Sequence, residues 1–221
     1  LGGEPLVYPH LFTLLERHPN IFFQVYTNGT LMTREKAQRF ADVGNTAVVI
    51  SIEGGEKETD AWRGKGVYKR IMRAFEYLND ARVIIGTSAT VTRQNVYTVS
   101  SLKFIDEMIS LGSFAQMYFL YIPVNGKADF SLMVTPKQRD HLRRQVNFIR
   151  NHRPMFVLDF WNDGPYVEGC IAGGRRYFHV NAKGDVEPCV YTHIAVDNIH
   201  EKPLKEALNS HLFRHIRSRQ P

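Results

Sequence analysis

Hydrophobic positions along the chain switch repeatedly between two periods. Tyr8, Leu11, Phe12 and Leu15 fall at i, i+3, i+4 and i+7, which predicts a helix opened by Pro5 and closed by Pro19. The apolar and aromatic run 21–26 predicts a strand, turning at Thr27-Asn28-Gly29 into a second helix over 33–43. Residues 46–52 carry the run Ala47-Val48-Val49-Ile50, as expected of a strand buried on both faces. A polar link containing Asp60 and Arg63 follows, and then Val67, Ile71, Ala74, Phe75 and Leu78 mark one face of a helix over 66–79. The alternation continues with strands over 82–91, 116–122 and 155–160 and helices over 96–111 and 136–151. Strands separated by helices imply crossover connections and a parallel sheet, either open or curled into a barrel.

Polar and glycine-rich residues gather where these strands end: Gly2-Gly3-Glu4, Thr27-Asn28, Ser51 with Glu53, Thr92 to Asn95, Asn125, and Asn162-Asp163. Carboxyl ends of parallel strands are where α/β enzymes build their sites. Asp159 and Asp163 bracket the last of these ends, so either is a candidate proton acceptor, although a turn at Asn162-Asp163-Gly164 accounts for Asp163 equally well. After Asp163 the pattern changes to short strands and turns, ending in a short helix over 203–210, so residues 1–163 and 164–221 read as two parts.

The second part holds both cysteines of the chain, Cys170 and Cys189. Between them 176–181 reads as a strand turning at Asn181 to Gly184, a hairpin that would bring two thiols toward one metal centre; two buried structural cysteines are the alternative. Among nine histidines, His211 and His215 stand at i, i+4, and His193 and His200 flank the hairpin, but no third ligand is spaced to complete a zinc site. The net charge of +6 is scattered, without the aromatic-interleaved basic motifs of nucleic-acid modules, and no stretch approaches a membrane helix. So few cysteines form no disulfide framework, which points to a reducing, cytoplasmic setting.

Taken in order, these pieces resemble the radical S-adenosylmethionine (radical SAM) enzymes that carry a SPASM or twitch-type module. Gly2-Gly3-Glu4-Pro5 resembles the segment that binds the methionyl amino group; Tyr26-Thr27-Asn28-Gly29 and Ser51-Ile52-Glu53-Gly54 resemble the next two strand ends, the serine contacting the cofactor. Asp60-Ala61-Trp62-Arg63-Gly64 resembles the following His/Asp-x-x-Arg segment, whose arginine pairs with the methionyl carboxylate. Thirteen residues separate Cys170 from Gly184 and four separate Gly184 from Cys189, matching the module's opening, whose cysteines ligate an auxiliary [4Fe–4S] cluster. Val196-Asp197-Asn198-Ile199, the helix after Pro203 and Phe213 resemble its closing pattern.

The resemblance implies a partial (β/α)6 barrel from the second strand onward, followed by the start of the auxiliary-cluster module. It implies reductive cleavage of S-adenosylmethionine to a 5′-deoxyadenosyl radical that modifies a peptide or cofactor-precursor substrate, with an electron donor such as ferredoxin or flavodoxin. The family's Cys-x3-Cys-x2-Cys loop is absent from these residues, so the chain reads as a piece, inactive alone, whose first strand and loop lie upstream of Leu1. Remaining auxiliary-cluster ligands would likewise lie beyond Pro221, come from a substrate in the cleft, or not be supplied at all. An unrelated α/β barrel with structural cysteines and a non-enzymatic iron–sulfur carrier are the competing readings.

Overall fold

The computed structural model describes residues 3–123 and 129–219. They divide into two compact units, residues 4–161 and residues 162–219 with Gly3.

The larger unit is a parallel five-stranded sheet in sequential order: β1 (Phe23–Thr27), β2 (Thr46–Ser51), β3 (Ile84–Val91), β4 (Ser113–Leu120) and β5 (Phe156–Asp159). Helices α1 (Leu11–Arg17), α2 (Arg34–Val43), α3 (Glu56–Arg63), α4 (Val67–Asp80), α5 (Val96–Val99), α6 (Leu102–Ser110) and α7 (Pro136–His152) make the connections. Local chemistry sets their ends. Thr33 caps α2 by accepting from the Lys36 amide, and Gly44 ends it in the left-handed region that its missing Cβ permits. Thr135 and Gln138 form a reciprocal capping box on α7, with Pro136 in the first turn.

Alternate strand residues point to opposite faces. One face carries Val48, Ile50, Ile85, Ala89, Val91, Tyr118 and Val157 into a core with Phe40, Ile71, Phe75, Leu78, Ile105, Leu142 and Ile149 from the helices. The other face carries Tyr26, Val49, Ser51, Ser88, Met117 and Phe119, and it is this face that a barrel would enclose.

Two departures from the sequence pattern have physical causes. The polar link is in fact helix α3, in which only Thr59 is buried, so no apolar stripe announces it; acidic Glu56 and Glu58 in the first turn and Arg63 in the last complement its dipole. The single helix expected over 96–111 is two, because Ser100 Oγ donates to the Val96 carbonyl and Ser101 starts α6 by accepting from the Phe104 amide.

Helix α4 starts without a capping side chain of its own and borrows one from α3: the Asp60 carboxylate accepts from the Gly66 amide at 2.6 Å and the Tyr68 amide at 2.8 Å. These backbone donors, Tyr68 first, hold the Asp60 pKa below the usual carboxylate range. Because the folded value is depressed, the contribution is present above the unfolded pKa and lost as pH falls through the folded one. Asp60→Asn is therefore expected to flatten the acid limb of a urea-midpoint-versus-pH curve below about pH 4; superimposable curves would refute this.

The smaller unit contains the antiparallel pair β6 (His179–Val180) and β7 (Val186–Glu187), followed by α8 (Leu204–Ala207) and α9 (His211–Ser218). Asn181 Oδ1 accepts from the Lys183 and Asp185 amides and closes the turn. The Val186 amide donates to the Asp197 carbonyl and the Ile199 amide to the Gly184 carbonyl, adding a third segment beside β7. No helix among the described residues is long and apolar enough to cross a membrane.

Candidate functional site

The carboxyl ends of β1, β2 and β3 are tied together by side chains from the segments that follow or precede them. Glu4 Oε1 accepts from Thr27 Oγ1 at 2.5 Å and from the Leu6 amide, and Oε2 accepts from the Asn28 amide at 2.8 Å. A carboxylate has about four acceptor positions, so one remains on Oε2 for an incoming donor. Thr27 is buried and spent on this network, whereas Asn28 Oδ1 shapes the next turn by accepting from Thr30. Ser51 Oγ lies 3.4 Å from Ser88 Oγ on the barrel-side face. Asn95 staples β3 to β2: its Nδ2 donates to the Glu53 and Thr90 carbonyls, and its Oδ1 accepts from Thr92.

Arg63 forks Glu53, Nε on Oε2 and Nη2 on Oε1 at 2.6 Å, and the Glu53 side chain is 1% exposed against 21% for Arg63. Two edges of this guanidinium are thus committed within the protein, leaving Nη1. Arg63 lines a cavity of about 390 Å³ with Asn28, Thr30, Trp62, Val67 and Arg70. Arg70 makes no hydrogen bond or ion pair among the described residues, so it is the guanidinium on this wall with its full donor set available. It escapes a sequence reading because Gly64 and Gly66 break the helical spacing between Arg63 and α4. Trp62 also lines a second cavity, of about 270 Å³, with Glu53, Lys57, Gln94 and Asn95.

The two candidate proton acceptors diverge. Asp159 is fully buried, and its register partner is Tyr118, whose hydroxyl donates to the Val99 carbonyl in the helix layer. Asp159 therefore faces the helices; burial foremost, and then its charge, push the Tyr118 pKa up. Asp163 is half-buried and belongs to the smaller unit, where its carbonyl accepts from the Tyr166 amide. Gly3 groups with that unit too, while Gly2 and Asn125 lie outside the described residues.

Within the smaller unit both cysteines are free thiols, Cys170 exposed and Cys189 half-buried. The segments bearing them are joined, since the Gly173 amide donates to the Pro188 carbonyl at 2.9 Å and the Val190 amide to Tyr177 Oη at 3.2 Å. Gly184 must lack a side chain: at φ +88° a Cβ would come within 2.6 Å of His200 Cδ2 and 2.8 Å of Asn198 Oδ1. Glu187 is buried, its Oε2 without a hydrogen-bond donor and facing His193 Nδ1 at 3.7 Å and His179 Nε2 at 3.9 Å; burial foremost lowers the His179 pKa. Among the described residues no group of three His, Cys, Asp or Glu is arranged to hold a metal ion. Two free thiols on joined segments are donors of the type that ligates an iron–sulfur cluster, so the residues present fit two of its ligand positions.

Comparison with known proteins agrees in kind. Residues 1–96 match the radical SAM superfamily, and residues 170–221 match SPASM, an iron–sulfur cluster-binding domain. The AdoMet-dependent heme synthase of Methanosarcina barkeri is 26% identical over 245 residues, covering 98% of this chain and 69% of that protein. The Fe-coproporphyrin III synthase of the same organism is 30% identical over 175 residues, covering 75% of this chain and 44% of that protein. In fold the chain is similar to Streptococcus suis SuiB, crystallised with S-adenosylmethionine and with its precursor peptide SuiA, at a TM-score of 0.78, 19% identity and coverage of 98% of this chain and 55% of that one. The chain thus spans roughly half to two thirds of its relatives. Its parallel α/β sheet, its two free thiols and these two matched segments make it a member of the radical SAM superfamily carrying a SPASM-type segment, whose cofactors are S-adenosylmethionine and iron–sulfur clusters.

Proposed function

We propose that residues 1–163 are the greater part of a radical SAM barrel, that residues 164–221 open its auxiliary-cluster module, and that the complete enzyme modifies a tetrapyrrole precursor. When bound, S-adenosylmethionine and its cluster supply one-electron cleavage and hydrogen-atom abstraction. This chain's residues bind and orient. Gly2, Gly3 and the spare acceptor of Glu4 receive the methionyl ammonium; the Thr27–Asn28 turn and Ser51 hold the cofactor's polar edge. Its carboxylate goes to Arg70, with Arg63 Nη1 beside it, because the rest of the Arg63 fork is engaged by Glu53. Cys170 and Cys189 hold two positions of the auxiliary cluster. Asp163 is retained as a proton acceptor, and Asp159, facing the helix layer, is assigned to structure. A ferredoxin or flavodoxin delivers the electron.

The observation that carries this reading is the cavity wall of Asn28, Arg63 and Arg70 at the strand ends. The substrate class rests on the heme synthase similarity across 98% of the chain, supported by the ring cluster of Tyr26, Phe119 and Phe160, with centroids 6.2 and 5.7 Å apart, which offers flat apolar area to a macrocycle. The full-length protein, purified without oxygen and reduced, is expected to form 5′-deoxyadenosine from S-adenosylmethionine, faster with an iron coproporphyrin than with a peptide. Faster turnover with a peptide alone would overturn the substrate class; no 5′-deoxyadenosine under any condition would overturn the activity. Arg70→Ala should weaken S-adenosylmethionine binding by about 10- to 100-fold, the worth of a charge-assisted hydrogen bond, without moving the thermal midpoint. Calorimetry giving an unchanged Kd would remove Arg70 from the site.

A further inference from the structure

Two thiols serve as cluster ligands only if the backbone presents them in the right place, and the two cysteines here are presented by different means. Around Cys189 the backbone does it: the Thr192 amide donates to the Cys189 carbonyl, the Gly173 amide to the Pro188 carbonyl, and Tyr177 Oη accepts from the Val190 amide. The segment before Cys170 is bonded within itself, the Val167 and Gly169 amides both donating to the Gly164 carbonyl. It turns through two consecutive left-handed residues, Glu168 at φ +60° and Gly169 at φ +97°, the first an uncommon conformation for a residue with a side chain.

Arg175, from beyond the turn, adds a four-point clamp on this segment, and Arg176 Nη2 lies 3.6 Å from the Glu168 carboxylate. Arg175 Nη1 donates to the Glu168 carbonyl at 2.6 Å and to the Cys170 carbonyl at 3.2 Å. Its Nη2 donates to the Val167 carbonyl and to the Glu168 carboxylate, both at 3.1 Å. Its side chain is mostly buried, 18% exposed, while the Glu168 side chain it meets is 78% exposed, so this is no surface ion pair between two solvated chains. A planar fork with five N–H groups can satisfy several converging carbonyls at once, whereas a lysine ammonium cannot span them.

We propose that Arg175 is a positioning residue for the auxiliary cluster: it holds the 167–170 turn in its left-handed form before iron arrives, so that Cys170 is presented as a ligand beside the Cys189 segment. The inference rests on the reading of Cys170 and Cys189 as cluster ligands. It assigns Arg175 a contact with the ligand's own backbone and none with iron. Groups that orient metal ligands from outside the coordination sphere are typically worth about 10- to 100-fold in metal affinity.

Two measurements on the full-length protein test it. In the iron-free protein, hydrogen exchange over 164–171, where the Gly169 amide donates to the Gly164 carbonyl at 2.8 Å, should quicken in Arg175→Met and Arg175→Lys while exchange over 176–187 stays as in the parent. In the anaerobically reconstituted protein, both variants should lose iron to a chelator about 10- to 100-fold faster and alter the electron paramagnetic resonance signal of the reduced auxiliary cluster, lysine failing to rescue. Unchanged exchange and iron loss would overturn the proposal, and so would equal quickening across the whole of 164–219, which would mark Arg175 as a general fold contact. If Cys170→Ala with Cys189→Ala leaves iron content unchanged, it is the ligand assignment itself that fails, an outcome separate from either result for Arg175.

Discussion

Replacing Arg63 by alanine is expected to destabilise the unit of residues 4–161 by about 3–5 kcal/mol, the cost of stranding a buried charge, and not merely to weaken a ligand. Glu53 is 1% exposed, and both of its carboxylate oxygens lie on the Arg63 fork. Its backbone is held as well, the amide donating to Thr59 Oγ1 and the carbonyl accepting from Asn95 Nδ2, so the carboxylate cannot swing out to water without breaking the staple between β2 and β3. Removing the positive partner leaves a desolvated anion with nothing to offset it. The prediction separates from a pure binding role through the second site: Glu53→Gln combined with Arg63→Met should recover most of the loss, because a neutral pair has no stranded charge. Urea denaturation followed by tryptophan fluorescence reads both. If Arg63→Ala stays within about 0.5 kcal/mol of the parent, as surface substitutions do, the pair is not a structural one and the whole Arg63 guanidinium becomes available to ligand.

That expectation differs from what the segment Asp60 to Arg63 offers when read as sequence, and the difference has a cause. A sequence motif places an arginine near a strand end, and that much is visible. Which acceptor its fork meets is decided by Glu53 at the end of β2, ten residues earlier, through α3, a helix with no apolar stripe to reveal it. The parallel sheet was legible because fully buried strands such as β2 read as unbroken apolar runs and α4 carries a regular apolar face. Position along a strand was legible too, but the face was not. In 155–160 nearly every residue is apolar, so nothing in the run says that Asp159 shares the helix-side face with Tyr118. Spacing brought Cys170 and Cys189 into one segment; the means by which each is held, a carbonyl clamp in one case and a ladder in the other, depends on φ values and side-chain reach that no spacing encodes.

The smaller unit should be more easily broken than the larger one, and Phe213 is where. Its buried cluster consists of Val186, Ala207 and Phe213, with Phe178, Val180 and Leu208 packed partly against it, so one ring supplies most of the fully buried volume. Phe213 is 1% exposed, and Gly174 lies so close that a Cβ there would stand 2.8 Å from its ring. Phe213→Ala is expected to cost about 3–5 kcal/mol, the lost transfer of the ring plus the cavity it leaves. That is a large share of what any small domain has in hand. Phe213→Leu should cost less, because more of the volume stays filled. The loss should be local. Exchange over 176–187 should approach unprotected rates in Phe213→Ala while β2 and β3, buried in a separate core, keep theirs. If protection over 176–187 survives, the hairpin is held by its hydrogen bonds at Asn181 and Gly184 and not by its core. If β2 and β3 lose protection together with it, the two units unfold as one.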